Sequence, residues 1–347
     1  MDLEDTFDSM AMFLIQISAL APAAPLTPLQ MQAKMGLGWN LGNTLDAPTE
    51  GAWAAAAHES YIEAAAAVGF TTIRVPVQWG HHMLSTAPFT VNASWVARVQ
   101  EVVGWCLKRD LVTIVNVHHD EWFENDPQNE LPRLVALWSQ IAEAFVGAPE
   151  TLLFEVYNEP HATSFTAVDL NAMNAAVLPV IRAKHPTRIV VFGGLKFMNP
   201  SWIVSNPALL RWPDPTVDAQ LMLEIHNYDP FDYAGGKTPT KTSWGSDADR
   251  AALREWMDAI GNWSAKTTVP LIYGEFGCTT LQNATTGRYA WYEAHAMEIK
   301  QRGWGATVWD DDGMFRIYDR ATGLWDAALL RALGKLQKSG TKDSEVV

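Results

Sequence analysis

The 347-residue chain is 48% hydrophobic and 18% charged, enough apolar side chain to bury a large core, and this composition excludes a disordered polymer. Twenty-five basic residues against 39 acidic ones leave a net charge of −14, a surface that repels phosphate backbones and anionic lipid and so argues against nucleic-acid and membrane partners. Two cysteines, Cys106 and Cys278, cannot make a disulfide framework and match no structural zinc spacing; they read as small apolar groups.

Residues 1–30 read as an N-terminal extension. The apolar stretch 10–20 is shorter than the roughly 18 residues of a membrane span. Asp2, Glu4, Asp5 and Asp8 precede it where a secretory leader carries positive charge, so it reads as a structural segment or a divergent leader. Eight short β-rich apolar runs then follow, at 35–42, 72–78, 112–119, 152–159, 188–195, 221–228, 270–277 and 305–312. Most lack polar alternation, the pattern of parallel strands buried on both faces. Helical patterns separate them, at 53–68, 93–110, 131–146, 166–184, 247–263, 288–303 and 327–338. Within 93–110, Val96, Val99, Val103 and Leu107 recur at spacings of three and four, one stripe of a helix. Repeated right-handed strand-helix crossovers build a parallel sheet, and eight of them close it. The expectation is an α/β protein, a single-domain (β/α)8 TIM barrel over residues 31–340, with a polar tail at 341–347.

The polar residues of these runs gather at their carboxyl ends, where a barrel of this class carries its site. In chain order they are Asn43, Arg74, His118, His119, Asn158, Glu159, His226, Tyr228, Glu275 and Trp309. Buried ionisable groups are costly unless paired, so their convergence on one end is hard to attribute to packing. Glu159 and Glu275, from strands 4 and 7, suit glycoside hydrolysis, in which one carboxyl protonates the leaving oxygen and the other attacks the sugar. Arg74 and Tyr228 are expected to hold Glu275 ionised, and Glu159, beside Asn158 and His226, to keep its proton. Sixteen tryptophans exceed what core filling needs, and flat indole faces stack well on sugar rings. Trp39, Trp53, Trp105, Trp138 and Trp256 read as packing residues, whereas Trp79, Trp122, Trp212 and Trp244 fall near strand ends.

The strings VYNEP (156–160) and GEFG (274–277), with WNLGNTLDAP (39–48), TIRVPVQW (72–79), VNVHHDE (115–121), HNYDPFDY (226–233) and IYDRATGLWD (317–326), resemble glycoside hydrolase family 5 from about residue 35 to 335. The resemblance implies a retaining, cofactor-free and metal-free endo-acting hydrolase of β-1,4-linked polysaccharide. Cellulose-type glucan is the expected substrate, with mannan, xyloglucan or mixed-linkage glucan as alternatives. It implies Glu159 as acid/base, Glu275 as nucleophile and Arg74 as the nucleophile's partner. His118, Asn158, His226 and Tyr228 become the polar shell around the cleaved sugar, Asn158 binding its 2-hydroxyl. Trp309 becomes the stacking platform, with Asn43, Asp46, His119 and Asp310 as further substrate-binding positions. A monomer and a secreted location are expected from the same resemblance.

Two rival readings start from the same residues. His118, His119, Asp120 and Glu121 beside Asp310, Asp311 and Asp312 have the donor types of a divalent-metal site, although such a mechanism gives no role to the two glutamates. A non-catalytic carbohydrate-binding barrel would account for the aromatic residues, but a binding module has no use for a buried carboxyl pair whose repulsion costs stability.

Overall fold

The computed structural model describes residues 25–214 and 216–336. Eight parallel strands close into a barrel in sequence order. They are β1 (Leu37–Asn40), β2 (Thr72–Val75), β3 (Val112–Asn116), β4 (Leu152–Glu155), β5 (Val190–Gly193), β6 (Leu221–His226), β7 (Leu271–Phe276) and β8 (Gly305–Val308), with β8 paired back onto β1. Each expected run holds one strand. Most strands are shorter than the runs at their carboxyl ends; beyond β1, β3 and β4 the chain leaves the sheet through Asn43, His119 and Glu159, which take left-handed backbone conformations, at φ 57°, 51° and 45°. Such conformations are rare for side-chain-bearing residues and break a hydrogen-bonded ladder.

Helices Ala93–Leu107, Pro127–Ala144, Ala167–Lys184, Asp247–Thr267 and Arg288–Arg302 cover the barrel. Their buried faces, such as Val99, Val102, Val103 and Cys106 of the first, join the outward side chains of the strands in one core. Cys106 and Cys278 are both buried, and burial pushes each thiol up to about 12, so they behave as apolar groups. The alanine-rich segment forms a helix only over Glu59–Ala67. Residues before it are held as a loop by Glu50, which accepts from the Ala57 amide at 2.8 Å and pairs with Arg98 at 2.9 Å. The last helix covers Ala327–Ala332, shorter than the expected 327–338.

The boundary drawn at residue 30 cuts a helix. Pro28–Met35 begins with a capping box between Thr27 and Gln30, has Pro28 in its first turn and ends at Gly36, whose φ of 53° suits glycine. Met31 and Met35 are fully buried against Val112, Ile114, Leu153, Ile189, Val191, Met222 and Ile272, the inward residues at the amino end of the barrel. Gln32 donates to the Leu271 carbonyl at 2.7 Å. The helix therefore plugs the end opposite the polar mouth. The rest of the proposed extension, residues 1–24, and the tail at 341–347 lie outside the described residues. No helix among the described residues is long and apolar enough to cross a membrane.

Met35→Ala leaves a cavity at this plug and is expected to lower unfolding stability by roughly 2–5 kcal/mol. Urea denaturation checks this; a loss well under 1 kcal/mol would show that the helix does not seal the barrel.

Candidate active site

Arg74 stands at the centre of the mouth. The pairing of β2 sets it beside Asn40 of β1 and Ile114 of β3, and its side chain is fully buried. Five guanidinium N–H donors meet six acceptors. Nε donates to Glu155 Oε2 at 2.7 Å and lies 3.1 Å from Glu224 Oε1. One terminal nitrogen donates to Asn40 Oδ1 at 3.0 Å and to Glu275 Oε1 at 2.6 Å, and the other to Glu155 Oε1 and Asn158 Oδ1, both at 2.8 Å. Burial opposes the charge, but Glu155, Glu224 and Glu275 overcome it and raise the Arg74 pKa well above its usual value. The same pairing keeps Glu155 below the usual carboxylate range in spite of its burial.

Glu275 also accepts from the Tyr228 hydroxyl at 2.8 Å, so two donors hold its two oxygens. Burial and the nearby Glu275 and Glu159 push the Tyr228 phenol well above its usual value, which keeps it a donor. His226 bonds Glu159 Oε1 through Nδ1 at 2.8 Å and Glu224 Oε1 through Nε2 at 3.0 Å, and its Nδ1 lies 3.7 Å from Glu275 Oε2. Burial pulls its pKa down, yet the surrounding carboxylates Glu275, Glu159 and Glu224 raise it to about 10. One oxygen each of Glu159 and Glu275 lies within 4.8 Å of the other and of the His226 ring nitrogen.

The remaining expected residues divide. Asn158 joins the centre through Arg74 rather than through Glu159. His118 is buried, and its pKa is pushed well down by burial and by the neighbouring His119, Arg74 and His226. Asn116 spends its Oδ1 on the Val77 amide, so its Nδ2 donates to His118 Nδ1 at 3.1 Å and leaves the proton of the neutral ring on Nε2. Trp309 follows β8 and lies parallel to the His118 ring, centroids 6.1 Å apart at 3°. His119 is partly exposed and meets the exposed Trp53 edge to face at 5.4 Å. Asn43 turns its amide to the Asp311 carbonyl at 3.1 Å.

Asp46 and Asp310 correct the expectation of substrate binding, because both are fully buried with their oxygens spent on the scaffold. Asp46 accepts from the Asn43 and Thr44 amides at 3.0 and 2.8 Å, and burial pushes its carboxyl up to about 6. Asp310 accepts from Trp39 Nε1, Tyr318 and Ile317 on one oxygen and from Asp312 on the other, which fixes the loop after β8. The rival metal set gathers only in part: His118 and His119 offer ring nitrogens within 4.8 Å of each other and of an Asp46 oxygen, while its own aspartates are held by the scaffold. Asp120 is held by Trp79, Gly80 and Trp122, and Asp311 by Gly313 and Phe315. Trp53 also corrects the packing assignment: it is exposed on the loop beside the mouth, whereas Trp79 and Trp244 are buried.

Glu155 and Glu224 escaped the sequence reading. The signal was present, since each is an acid inside an otherwise apolar strand run, LLFEVYNE and LMLEIHNY, where an unpaired carboxylate would be prohibitive.

A closed parallel barrel with ionisable groups converging at the carboxyl ends of its strands defines a (β/α)8 protein of the enzyme type. Residues 38–313 match the family model described as cellulase (glycosyl hydrolase family 5), and the chain belongs to that family. It is 36% identical over 312 residues to endoglucanase H of Acetivibrio thermocellus, covering 88% of this chain and 33% of that protein. It is 34% identical to the cellulase/esterase CelE of the same organism, covering 86% of this chain and 38% of that one, so the chain spans little more than a third of these relatives. The crystal structure of the endoglucanase Cel5A of the hyperthermophile Thermotoga maritima superposes with a TM-score of 0.83 at 30% identity, covering 89% of this chain and all of that one. Structures of that protein have been solved with cellobiose and with mannotriose.

Removing the central cation leaves three buried carboxylates without it. Arg74→Met is expected to cost about 3–5 kcal/mol at neutral pH. The Glu155 pKa is depressed in the folded wild type, so its contribution is present above the unfolded value of 4.5 and is lost as pH falls through the folded value. The deficit of the variant should therefore shrink below about pH 4.5. Urea midpoints of both proteins across pH 3 to 8 (on the order of the range where carboxylates titrate) check this; a deficit that does not change with pH would contradict it.

Proposed function

We propose that the protein is a retaining endo-acting glycoside hydrolase of β-1,4-glucan that works by double displacement, with Glu275 as nucleophile and Glu159 as acid/base. The carrying observation is the approach of the two carboxyls, an oxygen of each within 4.8 Å of the other. Retaining enzymes hold their carboxyls ~5–5.5 Å apart, whereas inverting ones leave ~6.5–9.5 Å for a water.

Glu275, gripped by Arg74 and Tyr228, attacks the anomeric carbon while Glu159 protonates the departing oxygen. A covalent glycosyl-enzyme results; water then displaces Glu275 and gives its proton to Glu159, which restores both groups. Asn158 has its Oδ1 taken by Arg74, which leaves Nδ2 to donate to the 2-hydroxyl of the sugar. His118 offers Nε2–H to the same ring, and Trp309 gives it an apolar face. Exposed Trp53 beside His119 offers a further stacking surface. Binding of a β-1,4-linked glucan is supported by the cellobiose complex of the Thermotoga relative; its mannotriose complex favours mannan as the second substrate.

A reducing-end assay on carboxymethylcellulose, mixed-linkage glucan, xyloglucan and mannan, with proton NMR of the first product formed, tests the reading. Wild type is expected to release β-anomeric ends, fastest from a glucan, and Glu275→Gln to lose at least about a thousand-fold in rate. Initial α-anomer would mean inversion and would overturn the role of Glu275. Cleavage of mannan alone would replace the substrate assignment while keeping the mechanism.

A further inference from the structure

Strand β6 brings to the mouth a third carboxylate that the double-displacement scheme does not use. Glu224 has no exposed surface, and the space it fills exists because residue 274 is glycine: a Cβ there would sit 1.6 Å from Glu224 Oε1. Oε1 reaches both Arg74 Nε and His226 Nε2, at 3.1 and 3.0 Å. Oε2 is buried without a partner. An ionised carboxylate with one bare oxygen is costly away from water. Burial and the nearby Glu155 accordingly raise Glu224 to about 7, against the opposing pull of Arg74 and His226.

The His226 ring joins this carboxyl to Glu159, with Nδ1 on Glu159 and Nε2 on Glu224. With a bare Nδ1 the neutral ring would accept from protonated Glu159 and donate from Nε2 to Glu224; with a proton on Nδ1, two arrangements satisfy both contacts. Either Glu224 is ionised and an imidazolium donates from both nitrogens, or Glu224 is protonated and donates to Nε2 of a neutral ring. In both, Nδ1–H points at Glu159, and the two differ only in the position of one proton between Glu224 and Nε2.

We infer that Glu224 is a positioning residue for the acid/base step: it fixes His226 as a hydrogen-bond donor to Glu159 and exchanges one proton with it as the charge on Glu159 changes. This rests on the retaining mechanism above. When Glu159 gives its proton to the leaving oxygen, the proton on Glu224 Oε1 passes to the lone pair of His226 Nε2, and the electron pair of the broken O–H bond stays on Glu224. An imidazolium then faces the new Glu159 carboxylate. When Glu159 takes a proton from the attacking water, the Nε2 proton returns to Glu224. The exchange needs no outside acid or base.

The other charged or titratable groups around His226 have separate tasks. Glu275 on β7 is held by Arg74 and Tyr228, Glu155 on β4 by Arg74 and Asn116, and His118 after β3 by Asn116. Arg74 on β2 is the counter-ion of Glu155, Glu224 and Glu275. Glu224 is the group bonded to Nε2.

Glu224→Gln keeps the shape and a donor to Nε2 but cannot pass a proton. On cello-oligosaccharides it is expected to lower kcat about ten-fold or more, with KM changed less than about two-fold. Dinitrophenyl β-cellobioside, whose leaving group departs without a proton, should lose far less in kcat/KM. Because the ring of the variant stays neutral, the Glu159 carboxylate loses the imidazolium that would face it, so the basic limb of the kcat/KM profile should also move to higher pH. Equal loss on both substrates with an unmoved basic limb would reduce Glu224 to a structural counter-ion of Arg74 and overturn the inference. Should the variant not fold, nitrogen-15 NMR of wild-type His226 decides: a proton on Nδ1 across the titration of Glu224 supports the inference, and a bare Nδ1 overturns it. Product of retained configuration together with a negative Glu224 result fails this inference alone; inverted product fails the mechanism beneath it.

Discussion

Four buried or half-buried carboxyls, Glu155, Glu159, Glu224 and Glu275, share the barrel mouth with two cations, Arg74 and His226. Burying one of these charges alone would be prohibitive, and burying them together is tolerable because Arg74 donates to Glu155 and Glu275 and pairs with Glu224 at 3.1 Å. Lysine could not replace it, since one ammonium cannot address Glu155 in bidentate fashion while reaching Asn40, Asn158 and Glu275. The surrounding carboxylates push His226 up to about 10 against its burial, and burial together with Glu155 pushes Glu224 up to about 7.

The fold supplies the geometry that this network needs. Parallel pairing puts Asn40 beside Arg74, Asn116 beside Glu155 and His226 beside Glu275, so partners arrive in register before any loop is considered. Gly274 makes room for Glu224 between β6 and β7. The left-handed residues Asn43, His119 and Glu159 then turn the chain off the sheet, and strain of this kind survives where surrounding structure over-determines it. At the opposite end, Met31 and Met35 close the barrel with apolar side chains, and a low-dielectric surrounding strengthens the charged contacts above it.

The barrel was readable in the sequence because eight apolar runs alternating with helical periodicity admit few closed arrangements. Glu159, Glu275, His226 and Tyr228 were readable because they fall toward the carboxyl end of a run, and Arg74 because it is the one charge inside the run 72–78. Glu155 and Glu224 were not read, since an acid in the middle of an apolar run looks like a strand residue until its partner across the barrel is known. Asp46 and Asp310 misled in the opposite sense: the family resemblance suggested ligands, but their side chains turn inward to bond loop amides. Strand ends also came out shorter than the apolar runs, since hydropathy does not register a left-handed turn. The loop before helix Glu59–Ala67 was misread for a related reason, as alanine content says nothing of the Glu50 contacts that hold residues 53–58 off a helix and leave Trp53 exposed.

The most direct test of the account is covalent trapping. A 2-deoxy-2-fluoro-β-cellobioside with a dinitrophenolate leaving group is attacked by the nucleophile but turns over slowly, because the fluorine destabilises the cationic transition state of both steps. Peptide mapping by mass spectrometry should find the sugar on Glu275, the carboxylate that Arg74 and Tyr228 hold ready. Label on Glu159, or on neither residue in an enzyme that the reagent inactivates, would contradict the assignment of nucleophile and acid.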